Sequence, residues 1–212
     1  PFIVGTDKKG NELGLFLHDP EHPKIKARLW KKEVPFDEGV DEFDRELEKR
    51  LEKALVARLE MNLASERENF FWSFGEADDL PGLKILVFGN VLIVQLYAFY
   101  WKKRKKSLTD KFKRLLKRHF PNQTFSEIRF QLRNQQKEDR EERFPLSEQV
   151  PQETVQEFGL TYRALLNERY DIGLYTDAAA FRKKLTPLFQ QAETFLNLYC
   201  YTGAFSLFAL KQ

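Results

Sequence analysis

Residues 194–210, TFLNLYCYTGAFSLFAL, constrain the fold of this chain more than any other stretch. An apolar run closing on Tyr201, Thr202 and Gly203 and followed by a second apolar run reads as strand, tight turn and helix. That unit opens a doubly wound α/β layer, where a ligand sits beyond the carboxyl end of the strand and a glycine lets the backbone approach it. One strand and one helix cannot complete such a layer, so the remainder is expected beyond Gln212 and the chain reads as a piece of a longer protein. Pro1 is not a translation start, so the amino terminus also reads as trimmed. In a complete layer, residues 195–201 would lie mid-sheet and be buried on both faces. Without neighbours they are expected to stay disordered or to be covered by association, as in a homodimer.

The chain has 212 residues, 42% hydrophobic and 14% aromatic, enough to bury a core. Its net charge of +3 is small beside 35 basic and 32 acidic residues, so local clustering matters more than the balance. A single cysteine, Cys200, excludes an internal disulfide framework and a cysteine-rich metal site, and fits a reducing compartment; it reads as a small buried residue. No apolar run reaches the roughly 18 residues of a membrane span, and the first residues resemble no signal or transit peptide, so the cytoplasm is expected. The histidines, His18, His22 and His119, lack metal-ligand spacing, and no metal is expected.

Residues 12–18 and 24–30 alternate with the period of two of half-buried strands around an Asp19-Pro20, His22-Pro23 turn, which predicts a hairpin. In its second strand Ile25, Ala27 and Leu29 share one face, and Lys24, Lys26, Arg28 and Trp30 the other. The basic face with its indole suits contact with a nucleic-acid backbone and base stacking, or is a plain solvated face. From residue 40 to 63, Phe43, Leu47, Leu51, Leu55, Leu59 and Leu63 recur every four residues, predicting an amphipathic helix with a solvated charged face. An aromatic cluster and a Pro81-Gly82 loop follow, then two apolar strands, 83–88 and 91–99, joined by the hairpin signal Gly89-Asn90.

The densest cationic region comes next. Trp101, Lys102, Lys103, Arg104, Lys105 and Lys106 lead into a helix over 107–120 whose Phe112, Leu115, Leu116 and Phe120 face inward. Its outer face carries Lys111, Lys113, Arg114, Lys117 and Arg118. Between Lys102 and Arg118 there are ten basic side chains against one acid, Asp110, so the local field is strongly positive and points to RNA or to an ordinary charged surface. A strand over 127–133 follows. Residues 134–152, polar and broken by Pro145 and Pro151, read as a linker at a domain boundary. A hairpin over 154–166 turning at Phe158-Gly159, a loop, and a helix over 177–190 complete the chain up to the opening motif.

Three stretches together carry a family resemblance: GEADDLPGLKILVFGNVLIVQ (75–95), EFGLTYRALLNERYDIGLYTDAAAFR (157–182) and LNLYCYTGAFSLFAL (196–210). In order and spacing they resemble the S-adenosylmethionine-dependent ribosomal RNA large-subunit methyltransferases, which join an RNA-binding PUA domain, a central α/β domain and a Rossmann-like methyltransferase domain. The resemblance implies a mixed α+β and α/β fold. Residues 1–68 would be a partial PUA-like β domain with a connecting helix, 69–152 the central RNA-binding α/β domain and linker, and 153–212 the opening segment of the methyltransferase domain. It also implies that Tyr175, Asp177 and Arg182, and the turn with Asn197, Tyr199, Tyr201, Thr202, Gly203 and Phe205, lie close to the cofactor. Asp177 would face the ammonium of S-adenosylmethionine and Arg182 its carboxylate. The family commonly has a Gln-Arg pair after the aspartate; here Ala178 and Ala179 stand there, so only Asp177 and Arg182 carry over.

The implied activity of the full-length protein is methyl transfer to cytosine C5 or guanine N7 of ribosomal RNA, with no catalytic residue in this chain, which alone is expected to be inactive. The competing expectation is a non-catalytic RNA-binding module.

Overall fold

The computed structural model describes residues 2–32, 40–133, 141–163, 166 and 172–212. The chain opens with an antiparallel three-stranded sheet, β1 (Phe2–Thr6), β2 (Glu12–His18) and β3 (Ala27–Lys31). The predicted β2–β3 hairpin forms, but its faces are the reverse of the alternation read from sequence. Trp30 is buried together with Leu15 and Leu17, whereas Ile25 and Leu29 are exposed. Burying an indole removes more apolar surface from water than burying a leucine, and Trp30 finds Phe43 with ring centroids 4.8 Å apart.

Helix α1 (Val40–Glu60) and the short α2 (Leu63–Glu66) realise the four-residue leucine spacing, with Phe43, Leu47, Leu51 and Leu55 buried. The aromatic cluster becomes a strand, β4 (Asn69–Phe74), pairing with β5 (Leu83–Phe88). The Gly89-Asn90 turn then returns the chain as β6 (Val91–Leu96). A 3-10 turn, Phe99–Arg104, and helix α3 (Lys105–His119) cross over to β7 (Glu127–Leu132), which lies parallel to β6. The expected linker is corrected in part: residues 134–140 lie outside the described residues, but Glu141–Pro145 is strand β8, antiparallel to β7. Its charged residues and terminal proline suit an edge strand, which solvent reaches on one side, and Phe144 still packs on the core. The five strands run in the order β4-β5-β6-β7-β8.

Side chains alternate cleanly across this sheet. Phe70, Trp72, Ile85, Val87, Leu92, Val94, Ile128 and Phe130 join one core with α1, α3 and the amino-terminal sheet. Phe71, Leu86, Phe88, Val91 and Ile93 join a second core with the carboxyl-terminal segment. That segment holds the predicted hairpin, β9 (Thr154–Glu157) and β10 (Leu160–Arg163), whose Phe158 and Gly159 both take positive φ, 52° and 72°. Two positive-φ residues match the strand twist of a two-residue turn. The helix expected over 177–190 is split into a 3-10 turn (Thr176–Ala178), α4 (Ala179–Lys184) and α5 (Thr186–Gln191). Pro187, in the first turn of α5, has no N–H to continue a hydrogen-bonded helix, and the chain breaks at Leu185.

Helix α6 (Ala204–Lys211) follows Gly203 as expected, but residues 195–201 form no strand. Leu196, Leu198 and Tyr199 are exposed, because this run has no neighbouring strand among the described residues. Cys200 is exposed with it, correcting its reading as a buried residue. Among the described residues no helix is long and apolar enough to cross a membrane.

Candidate cofactor site and cationic surface

Two segments far apart in sequence meet at the start of α6. The Thr202 hydroxyl donates to the carbonyl of Gly173 at 2.6 Å, and the rings of Tyr175 and Tyr201 lie 5.1 Å apart. The turn is tight: Gly203 N–H donates to the Cys200 carbonyl at 2.8 Å, and Tyr199, Tyr201 and Gly203 all have positive φ. A Cβ at Gly203 would meet nothing within 4 Å, so the backbone there faces open space that a ligand can enter. Asn197 is pinned to the first turns of α6, its Nδ2 donating to Ser206 Oγ at 2.9 Å. Phe205 packs between the Phe181 ring, 6.0 Å away, and the Arg182 guanidinium, 5.5 Å away. Asp177 is exposed in the 3-10 turn that leads into α4.

Arg182 departs from the sequence reading. It is fully buried and forks onto one oxygen of Glu157, with Nε at 2.9 Å and Nη2 at 2.5 Å, and also donates to the Tyr175 carbonyl at 3.3 Å. A guanidinium so engaged is not presented to a ligand carboxylate; it supports the loop from beneath. Arg67 joins it, donating to the Thr176 carbonyl at 3.2 Å, and burial lowers the pKa of its guanidinium. Glu157 and Arg67 were missed by sequence reasoning.

The cationic surface is smaller than the sequence suggested. Trp30 and Trp101 are both core residues, and Trp101 donates its indole N–H to the Pro81 carbonyl at 2.8 Å. Neither offers a face for base stacking, because the 3-10 turn Phe99–Arg104 directs Trp101 inward while Lys102 and Lys103 stay outside. Arg28 is paired with Glu76 at 2.5 Å, while Lys24 and Lys26 are exposed on the β2–β3 loop.

The acidic side of α1 also proves to be more than solvated surface. Asp44 meets Lys111 at 3.4 Å and Arg104 at 3.5 Å, Glu48 holds Arg114 at 2.6 Å, and Glu52 holds Arg118 at 2.7 Å. Hydrogen bonds from Arg114 and Arg118 keep the Glu48 and Glu52 carboxyls below their ordinary pKa. Lys105 pairs with Glu142. Between Trp101 and His119 the exposed cations left toward solvent are Lys102, Lys103, Lys106, Lys113 and Lys117. Among the described residues no group of three or more His, Cys, Asp or Glu is placed to hold a metal ion.

No family model matches the chain. Solved structures nevertheless share its fold. A Streptococcus mutans protein assigned as a SAM-dependent methyltransferase superposes with a TM-score of 0.74 at 17% identity, covering 99% of this chain and 52% of that one. A protein assigned as a methyltransferase and crystallised with SAH gives 0.73 at 18% identity, covering 99% of this chain and 51% of the other. The fold is therefore shared with about half of each of those chains.

Curated sequences narrow the class. Ribosomal RNA large subunit methyltransferase I of Alteromonas mediterranea is 30% identical over 210 residues, 97% of this chain and 49% of that protein. Its counterpart in Pseudoalteromonas translucida is 29% identical over 211 residues, 97% of this chain and 50% of that protein. The chain is thus similar, along nearly its whole length, to the ribosomal RNA large subunit methyltransferases, a family that uses S-adenosylmethionine. It spans about half the length of these curated relatives.

Proposed function

We propose that this chain supplies the RNA-docking surface and one wall of the cofactor site of an enzyme that transfers the methyl group of S-adenosylmethionine to a base of ribosomal RNA. The observation that carries this reading is the meeting of the 173–178 loop with the turn before α6, through Thr202 and Gly173 and through Tyr175 and Tyr201. The residues present fit such a ligand. Open space at Gly203 admits a close approach, Asn197 and Thr202 offer polar groups, exposed Asp177 suits an ammonium, and Tyr175 and Tyr201 offer aromatic faces. When bound, the cofactor supplies an electrophilic methyl on a sulfonium. The contribution of these side chains is to hold it in line with the attacking base atom, so that much of the barrier is met by orientation.

A cytosine C5 target requires a thiol to add first at C6, whereas guanine N7 attacks with its own lone pair. Cys200 sits in the cofactor turn and is not the candidate thiol. The exposed lysines of α3 supply the docking charge for the RNA backbone.

The test is to incubate the full-length protein carrying this chain with labelled S-adenosylmethionine and with ribosomal RNA from cells lacking its gene. Labelled 5-methylcytosine or 7-methylguanine in the digest is the expected result, and its identity fixes the chemistry. RNA binding without transfer would instead favour a non-catalytic binding module. The replacement of the family's Gln-Arg pair by Ala178 and Ala179 and the engagement of Arg182 by Glu157 are the observations behind that second reading.

A further inference from the structure

A buried ion pair with a half-buried arginine beside it lies beneath the loop assigned to the cofactor. Glu157, at the end of β9, and Arg182, in α4, are both fully buried, and Arg67 reaches the same place from the link between α2 and β4. Glu157 pairs with Arg182 and lies within electrostatic reach of Arg67: one of its oxygens takes both Arg182 bonds, and the other is buried with no hydrogen-bond partner among the described residues. The two arginines also reach consecutive backbone carbonyls, Arg182 donating to Tyr175 and Arg67 to Thr176. The Thr176 hydroxyl is also buried, with no partner among the described residues. Such an arrangement is costly: desolvating a carboxylate and a guanidinium fully and a second guanidinium in part, with two polar atoms unbonded among the described residues, is poor design for stability alone. What it does fix is the height and rotation of residues 175–177, which place the Tyr175 ring against Tyr201 and turn Asp177 outward.

We propose that Glu157, Arg182 and Arg67 form a positioning clamp that presents Tyr175 and Asp177 to the methyl donor, with Arg182 acting through the loop and not on the ligand. This inference rests on the cofactor reading above. Its direct consequence is that the three residues and Tyr175 contribute to one shared property, so their effects on affinity overlap and do not add.

The test uses S-adenosylhomocysteine as probe, with the dissociation constant measured by calorimetry on the full-length protein carrying this chain, and with melting temperature recorded in parallel. Glu157→Gln keeps the shape of the side chain, and Arg67→Lys keeps a charge while removing the fork. Each is expected to weaken binding about tenfold, measured well below the melting transition. Tyr175→Ala is expected to weaken it similarly, and the Glu157→Gln, Tyr175→Ala double variant to be little weaker than either single one.

A lowered melting temperature with unchanged affinity in both clamp variants would reduce the group to a structural one and overturn the proposal. So would strictly additive losses in the cycle. If the unsubstituted protein fails to bind the probe, the cofactor reading itself falls and the clamp with it; if it binds and the clamp variants bind equally well, only the clamp falls.

Discussion

Residues 83–88 and 195–201 are both short apolar runs, yet they end in different states. The first is β5, flanked by β4 and β6, with every residue but Lys84 buried. The second pairs with nothing among the described residues, and Leu196, Leu198 and Tyr199 are 80%, 69% and 101% exposed. Composition scarcely separates them. Neighbours do: β5 is joined to β6 by a two-residue turn, and the turn at 75–82 brings it back along β4. A strand belongs to its sheet, since its peptide groups need partners on both edges before apolar faces can be buried.

That contrast can be broken by mutation. Trp101→Ala empties a fully buried indole site between Trp30, Phe43 and Tyr100 and is expected to cost about 3–5 kcal/mol, read as a fall in denaturation midpoint. A loss below about 1 kcal/mol would mean that the core tolerates a cavity as easily as the exposed run does. Arg58→Ala removes a bidentate pair with Asp78, at 2.6 and 2.7 Å, that ties α1 to the turn before β5. The expected cost is about 2 kcal/mol in the same measurement.

The surface cations divide in a parallel way. Lys106→Ala or Lys113→Ala should each lower the slope of log affinity for RNA against log salt by about 1 if the lysine meets a phosphate. Arg114→Ala, already held by Glu48, should change the slope less, and the reverse ranking would show that RNA displaces the α1 carboxylates.

The α1–α3 seam should also respond to acid. Glu48 and Glu52 titrate below their ordinary value of 4.5 in the fold, because Arg114 and Arg118 donate to them. Their contribution is therefore full above the unfolded pKa and is lost as pH falls through the lower folded one. At low salt, Glu48→Gln should flatten the decline of melting temperature with acidification below 4.5, by a small amount that vanishes at high salt. Leu198→Ala should do least, shifting stability by no more than about 0.5 kcal/mol.

What could be read from sequence was what neighbouring residues decide together. Gly89-Asn90 and Phe158-Gly159 gave their turns, the leucines of α1 gave a helix face, and Gly203 gave the break before α6. What escaped was decided across long separations. Trp101 beside five basic residues reads as part of an RNA-facing surface until the 3-10 turn is known to rotate it into contact with residues from α1 and β3. The Glu48–Arg114 pair spans 66 positions, so the charged face of α1 read as solvated. At the turn before α6, Tyr201, Thr202 and Gly203 were legible as turn residues between two apolar runs, while Tyr175 was singled out only through the family resemblance. The fate of Arg182 depended on Glu157, a strand residue with no local mark of its inward direction.

The parallel pairing of β6 with β7 also sets an order of assembly. The β4-β5-β6 meander closes through short turns, at small entropic cost, while β7 cannot add until the whole of residues 97–126 has been gathered, with α3 formed and laid against α1. On this topology the β4-β5-β6 meander is expected to form first, leaving the β6 edge, with apolar Val91, Ile93 and Leu96 along it, unpaired until the crossover arrives. Until β7 docks, that open edge is available to pair with a strand of another copy of this chain.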